Sequence, residues 1–254
     1  MIKTYILQND QVVEGQVQDL RGQHTTVWTD LAQPEQEELK IVAAHLGVSE
    51  QEIQELLHPT QRPILQNIGQ FTAIVFHSLE IQKNIIALKP HLLLTSKEQK
   101  DFISIHKSPE SAIHKILNYP TARKVELFRK GSTALLFAGL EEMTASGFQV
   151  LDHISEETSK LESQVFQPQL SSQVMKRIFN LKKGLIYFQR SLSSDREVIS
   201  QIEKAYGQFL DEAQLANFRL LYSDLTQLIE LSATLLSRLW KSTFPPFPTI
   251  STWS

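Results

Sequence analysis

The side chains that most often carry chemistry are few in this sequence and poorly spaced for it. All eight histidines precede Ile154, and no two are spaced as a metal-binding pair on one helix. There is no cysteine, so disulfides, thiolate zinc sites and cysteine nucleophiles are excluded, and a reducing compartment fits. No H-E-x-x-H, Walker, G-x-S-x-G or G-x-G-x-x-G pattern occurs, and the nine glycines are scattered. Without a nucleophile, base or phosphate cradle at a known spacing, an enzyme is not expected.

Charge gives the clearest pattern. Asp152, Glu156, Glu157 and Glu162 precede Pro168, and Lys176, Arg177, Lys182 and Lys183 follow it. An antiparallel hairpin turning at Pro168 would bring Glu162 near Lys176 and Glu156 near Lys182. On a solvated surface each pair is worth at most about 1 kcal/mol. The other reading is a charged surface that responds to cations. Trp28 reads as a core aromatic, and Asp30 as a cap of the turn into the next helix. Arg62-Pro63 reads as a turn that sets the start of a strand.

The elements that must position these residues divide the chain. Six of the ten prolines lie in the first 120 residues, and only Pro168 lies between Pro120 and Pro245. The first half is therefore punctuated and the second is free to form long helices. "TYILQ" and "TTVWTDL" read as strands. "PEQEELKIVAAHLG" has proline at its start, acids in its first turn and Gly47 at its end, so it reads as a helix. "SEQEIQELL" follows as a second helix with Ser49 as N-cap. "QFTAIVFHSLEI", "NIIALK" and "HLLLTS" read as three adjacent strands, while "SKEQKDFISIHK" and "PESAIHKIL" read as helices.

In the second half, apolar residues recur every three or four positions. One seam is Leu151, Ile154, Thr158, Leu161 and Val165. A second is Val174, Ile178, Leu181, Leu185, Phe188 and Leu192. A third is Phe218, Leu221, Leu225 and Leu228, continued past Ser232 by Leu235 and Leu239. That spacing favours long helices packed at shallow angles. The expected fold is α/β followed by all-α. An αβα sandwich over residues 1–120 (a small mixed sheet covered by helices) precedes a long-helix part over 121–240. The latter holds an antiparallel hairpin over about 148–206 and a stalk helix over about 208–240. Residues 241–254 hold Pro245, Pro246 and Pro248 and are expected to be a poorly ordered tail.

Composition narrows the partners. At 41% hydrophobic and 21% charged the chain is an ordinary globular protein. A net charge of −3 argues against nonspecific nucleic-acid binding, which needs a basic excess. The start "MIKTYILQND" has no apolar core typical of a signal peptide. The longest apolar run, around "ALLFAGL", is far short of the roughly 20 residues of a membrane-spanning helix. The chain by itself is expected to be soluble.

Taken in order, several segments resemble the CorA family of divalent-cation transporters. "VWTDLAQPEQEELKIVAAHLGVSEQEIQELL" resembles the family's Trp-x-Asp-Leu strand, acidic helix and second short helix. "TQRPILQNIGQFTAIVFHSL" resembles its Arg-Pro turn and central strands, and "HLLLTSKE" the strand before its next helices. "LDHISEETSKLESQVF" and "MKRIFNLKKGLIYFQRSLSSDREVISQI" resemble its long hairpin. "NFRLLYSDLTQLIELSATL" resembles the start of its stalk helix. The similarity spans about residues 25 to 240.

The resemblance implies the cytosolic, Mg²⁺-sensing regulatory domain of a magnesium transport protein. Such a protein would be a homopentamer at the cytoplasmic side of the cell membrane, meeting the membrane only through a part absent from this chain. No Gly-Met-Asn, the family's selectivity loop, occurs. The ion implied is Mg²⁺, with Zn²⁺, Co²⁺ or Ni²⁺ as alternatives in a zinc or other divalent-cation relative. A freestanding oligomeric scaffold without transport is the further alternative. The family's sensing carboxylates face each other across subunits. By position in the stalk, Glu230 corresponds to one of them. The opposing acid falls near the end of "VFHSLEIQ", where Glu80 is the nearest carboxylate and the neutral Gln82 stands close by.

Overall fold

The computed structural model describes residues 1–15, 26–82, 85–109, 111–165, 172–206 and 210–243. Seven strands form one mixed sheet: β1 (Ile2–Gln8), β2 (Gln11–Gly15), β3 (Val27–Ala32), β4 (Ile64–Ile68), β5 (Phe71–Gln82), β6 (Ile85–Ser96) and β7 (Asp101–His106). Their order is β2-β1-β3-β7-β6-β5-β4, antiparallel except for the β3–β7 pair. Two short helices, α1 (Gln36–Leu46) and α2 (Glu50–Leu56), cover one face. Leu39, Val42 and Ile53 there meet Leu31, Val75, Leu92, Leu94, Ile103 and Ile105 of the sheet. A 3-10 turn (Ala112–Asn118), α3 (Thr121–Lys130) and α4 (Ser132–Val165) follow the sheet, then α5 (Ser172–Tyr206) and α6 (Glu212–Thr243). Trp28, Ile74, Phe76, Leu93 and Phe102 on the second sheet face share a core with α4, α5 and α6.

The local signals at α1 and α2 act as the sequence suggests. Gly47 closes α1 in the left-handed conformation (φ 72°), where its N–H reaches Ala43 O. Ser49 and Glu52 form a reciprocal capping box at α2. Gly131 joins α3 to α4 at φ 95°, and a Cβ there would lie 2.8 Å from Gln99 O, so the junction requires glycine.

Two elements differ from expectation. "SKEQKDFISIHK" is a turn and then strand β7, because Phe102–Ile105 is buried on both faces between β3 and β6. Central strands of that kind read as unbroken apolar runs without a helical or two-residue period. Residues 85–89 of "NIIALK" and all of "HLLLTS" belong to one twelve-residue strand running through Pro90. The β7 ladder begins only at His91, so Pro90 lies where that side of β6 has no neighbour needing its missing N–H.

The three long helices use the expected seams. Phe218, Leu221, Leu225, Leu228, Ser232, Leu235 and Leu239 of α6 are all buried. α6 runs parallel to α4, with Phe137 against Phe218 and Arg238 on Glu162 at 2.8 Å. It runs antiparallel to α5, with Arg219 on Glu203 at 2.8 Å and Lys182 over the Trp240 ring at 4.0 Å. One expected hairpin charge finds another partner, because Glu162 meets Arg238 of α6 instead of Lys176. Arg177 does cross the hairpin, to Glu157. The turn around Pro168 and the tail from residue 244 lie outside the described residues. Among the described residues, no helix is long and apolar enough to cross a membrane.

The register of α6 is open to a paired test. Leu225 is fully buried and Leu220 is 64% exposed. Leu225→Ala is expected to cost about 2–5 kcal/mol in urea unfolding, and Leu220→Ala less than about 0.5 kcal/mol. Equal costs would contradict the register.

Candidate functional site

Alternation along three neighbouring strands places a polar cluster on the inner, helix-covered face of the sheet. In β7, Phe102, Ser104 and His106 point one way and Ile103 and Ile105 the other. Register sets Ser104 beside Asp30 on β3 and His106 beside His91 on β6. The 3-10 turn adds His114. Asp30 is 3% exposed and receives three side-chain contacts: Ser104 Oγ–H at 2.5 Å, His106 Nε2 at 3.2 Å and His114 Nε2 at 2.8 Å. Burial alone would raise the pKa of its carboxyl. The hydrogen bonds and charge of the two histidines outweigh that and hold it below the usual carboxylate range.

The ring of each histidine is itself oriented. His106 Nδ1 donates to Ser108 O at 2.7 Å, which turns Nε2 towards Asp30. His114 Nδ1 receives the Ser111 N–H at 3.4 Å. His91 stacks on His106 with centroids 4.8 Å apart and places its Nε2 2.7 Å from Ser111 Oγ. Burial pushes His91 down to about 3, so this ring stays neutral. Trp28 Nε1 donates to Ser104 Oγ at 2.9 Å, passing order from the aromatic core to the cluster. Asp30 is thus no turn cap, as the sequence suggested. It is the acceptor at the centre of the cluster.

A second polar group lies where β5 meets α5. Asp195 is buried, and its Oδ1 accepts the His77 backbone N–H at 3.2 Å. His77 Nδ1 is 2.6 Å from Ser191 Oγ, and Ser191 Oγ is 3.5 Å from Asp195 Oδ2. These are the residue types of a hydrolytic triad in the wrong arrangement. The carboxylate faces the backbone of His77, not its ring, so it cannot orient that ring as a base. Burial raises the Asp195 carboxyl well above its usual range and lowers His77 to about 4, so both prefer to be neutral.

The acids anticipated from the sequence lie elsewhere. Glu80, near the end of β5, is half-buried and accepts Ser108 Oγ–H at 2.7 Å. It borders an open groove of about 390 Å³ together with His114, Lys115 and Gln149. Glu230 lies on the exposed side of α6, away from its buried seam, and its backbone carbonyl accepts Thr234 Oγ1–H at 3.0 Å.

Comparison with known proteins gives this arrangement a family. The model of the family described as "CorA-like Mg2+ transporter protein" matches residues 23–241. The chain belongs to the CorA family. It is 28% identical over 239 residues to the cobalt/magnesium transport protein CorA of Methanocaldococcus jannaschii, covering 90% of this chain and 72% of that protein. The solved soluble domain of the same organism's CorA matches with TM-score 0.81 at 24% identity, covering 96% of this chain and 95% of that one. Its complete CorA magnesium transporter matches with TM-score 0.80 and is covered to 75%. The ZntB cytoplasmic domain of Vibrio parahaemolyticus shares the fold at TM-score 0.72 and 14% identity.

Sequence reasoning missed both buried clusters in this CorA-family fold. Asp30 lies 76 residues from His106 and 84 from His114, so no local spacing joins them. The available signal was the strand alternation that puts Asp30, Ser104 and His106 on one face, and it was lost when β7 read as helix.

Asp195 yields a pH prediction. A raised folded-state pKa means that the native protein holds this proton more tightly than the unfolded chain does. Its contribution is complete below the unfolded value and is lost as pH rises through the folded one. Asp195→Asn keeps an acceptor for His77 N–H and supplies a donor to Ser191. As pH rises from the unfolded value of about 4 towards the raised folded-state value, the urea midpoint of the variant is expected to gain on that of the parent. A gap independent of pH would show that Asp195 ionises freely in the native state.

Proposed function

We propose that this chain is the cytosolic, Mg²⁺-sensing regulatory part of a CorA-like magnesium transport protein. It would work as a homopentamer at the cytoplasmic side of the cell membrane. The observation that carries this reading is the family match over residues 23–241, in a fold where the long helix α6 has exposed positions opposite its buried seam. Exposed apolar side chains on the long helices, among them Phe179, Leu220 and Leu231, favour assembly with further copies.

Glu230 and Glu80 are the proposed sensing carboxylates, each offered to a neighbouring copy. The chemistry suits the ion. Mg²⁺ is hard, keeps several waters and needs only one or two carboxylates from the protein. An ion between subunits would offset the repulsion of acids brought close together, and its loss would let the subunits shift. Gating would then follow from the difference in ion affinity between the two arrangements.

Binding to the native state alone raises stability. At an Mg²⁺ concentration tenfold above the dissociation constant the gain is about 1.4 kcal/mol, or roughly 3–6 °C in the thermal midpoint. Millimolar Mg²⁺ is expected to produce this shift in the parent protein and not in Glu230→Ala. No shift in the parent, or the same shift in the variant, would overturn the assignment.

A further inference from the structure

The Asp30 cluster compensates a buried carboxylate within the sheet, and the same side chains are also the donor set of a metal site. We propose that Asp30, His106 and His114 form a binding site for a first-row transition metal of the Zn²⁺ class. The site is separate from the proposed Mg²⁺ carboxylates and different from them in chemistry.

The three residues each offer one ligand atom, and these atoms all lie within 4.8 Å of one another. Two imidazoles and one carboxylate suit Zn²⁺, Co²⁺ or Ni²⁺, whereas Mg²⁺ takes oxygen ligands. In a tetrahedral complex with ligands about 2.0–2.1 Å from the metal, neighbouring donor atoms sit roughly 3.3–3.5 Å apart. His106 Nε2 is already 3.2 Å from Asp30 Oδ1, and His114 Nε2 is 2.8 Å from Oδ2. Small side-chain rotations convert the proton-bridged cluster into a metal-bridged one.

The surroundings match what such a site needs. Ligating histidines fix their rings by donating the other N–H to a carbonyl or carboxylate, and His106 does so to Ser108 O. Ser104 Oγ–H orients the Asp30 carboxylate, and His91 backs His106 from behind. The contact from Ser111 N–H to His114 Nδ1 is long, and it is given up when a metal takes Nε2 and the proton moves to Nδ1. Only His114 reaches solvent, with its side chain 28% exposed on the groove shared with Glu80. That opening admits the ion and leaves room for water as a fourth ligand, the pattern of three protein ligands and one open position.

One residue, Ser108, links the site to the proposed sensing acid. Ser108 holds His106 through its carbonyl and Glu80 through its hydroxyl. A metal that draws His106 towards Asp30 therefore pulls on the residue that positions Glu80.

The test uses the whole chain, stripped with EDTA and titrated with Co²⁺ and then Zn²⁺. One equivalent of Co²⁺ is expected to give visible d–d bands, which Zn²⁺ abolishes and excess Mg²⁺ does not. His114→Ala, at the solvent-facing ligand, is expected to weaken binding at least roughly 100-fold. Glu230→Ala should bind as the parent does, so this result and the Mg²⁺ result can fail independently. Anomalous diffraction from Zn²⁺-soaked crystals gives a readout that does not depend on a variant folding, with a peak expected between the three side chains. Absence of saturable binding, unchanged binding in His114→Ala, or a peak elsewhere would overturn the proposal.

Discussion

The buried seam of α6 is the contact on which the rest of the molecule depends. A stripe from Phe218 to Leu239 is too long for one short helix to cover. It is enclosed instead by α4 running alongside and α5 running back, which explains why both are of similar length. α4 also packs on the sheet, and a Cβ on its Gly147 would lie 3.1 Å from both Leu79 of β5 and Leu228 of α6. Each fully buried leucine in the seam represents roughly 2–5 kcal/mol against truncation. The charge contacts that border it, such as Arg238–Glu162, are partly solvated and add much less. Apolar packing therefore sets the register of the helices, and the ion pairs follow it.

The sheet answers a second constraint. A carboxylate buried at Asp30 must be fully compensated or it would destabilise the fold by several kcal/mol. Ser104, His106 and His114 supply that compensation from β7 and the following turn. The cost of exposing Asp30 without them ties β3, β7 and the 3-10 turn into one unit. The same side chains are the ligand set proposed for a borderline cation of the Zn²⁺ class, which makes the structural role and the proposed metal role two uses of one arrangement. The Asp195 group behaves differently. Among the described residues no ion pair reaches its carboxyl, and burial raises it well above the usual carboxylate range.

What the sequence made legible follows physical range. The caps of α1 and α2 and the three helical seams depend on residues three or four apart, and these read directly. The stalk reading holds because every position from Phe218 to Leu239 in that pattern is buried, even Ser232, which looked like a gap. Strand β7 was misread because Lys97, Glu98, Gln99 and Lys100 favour helix while the buried run after them has no period. The polar clusters were invisible because they join residues 76 to 118 positions apart, by strand register between Asp30 and His106 and by the packing of α5 on β5 at Asp195. Arg62-Pro63, by contrast, precedes β4 as a turn would.

The proposed regulatory role requires the free face of α6 to approach that of other copies when Mg²⁺ is present. The chain has no cysteine, so Leu231→Cys, at an exposed position beside Glu230, gives a single site for a spin label. Pulsed dipolar spectroscopy then reads distances between copies directly. The account predicts defined intermolecular distances in millimolar Mg²⁺, of a nearest and a next-nearest neighbour in a fivefold ring, which broaden or vanish in EDTA. A featureless decay at every Mg²⁺ concentration, or sharp distances indifferent to the ion, would contradict it.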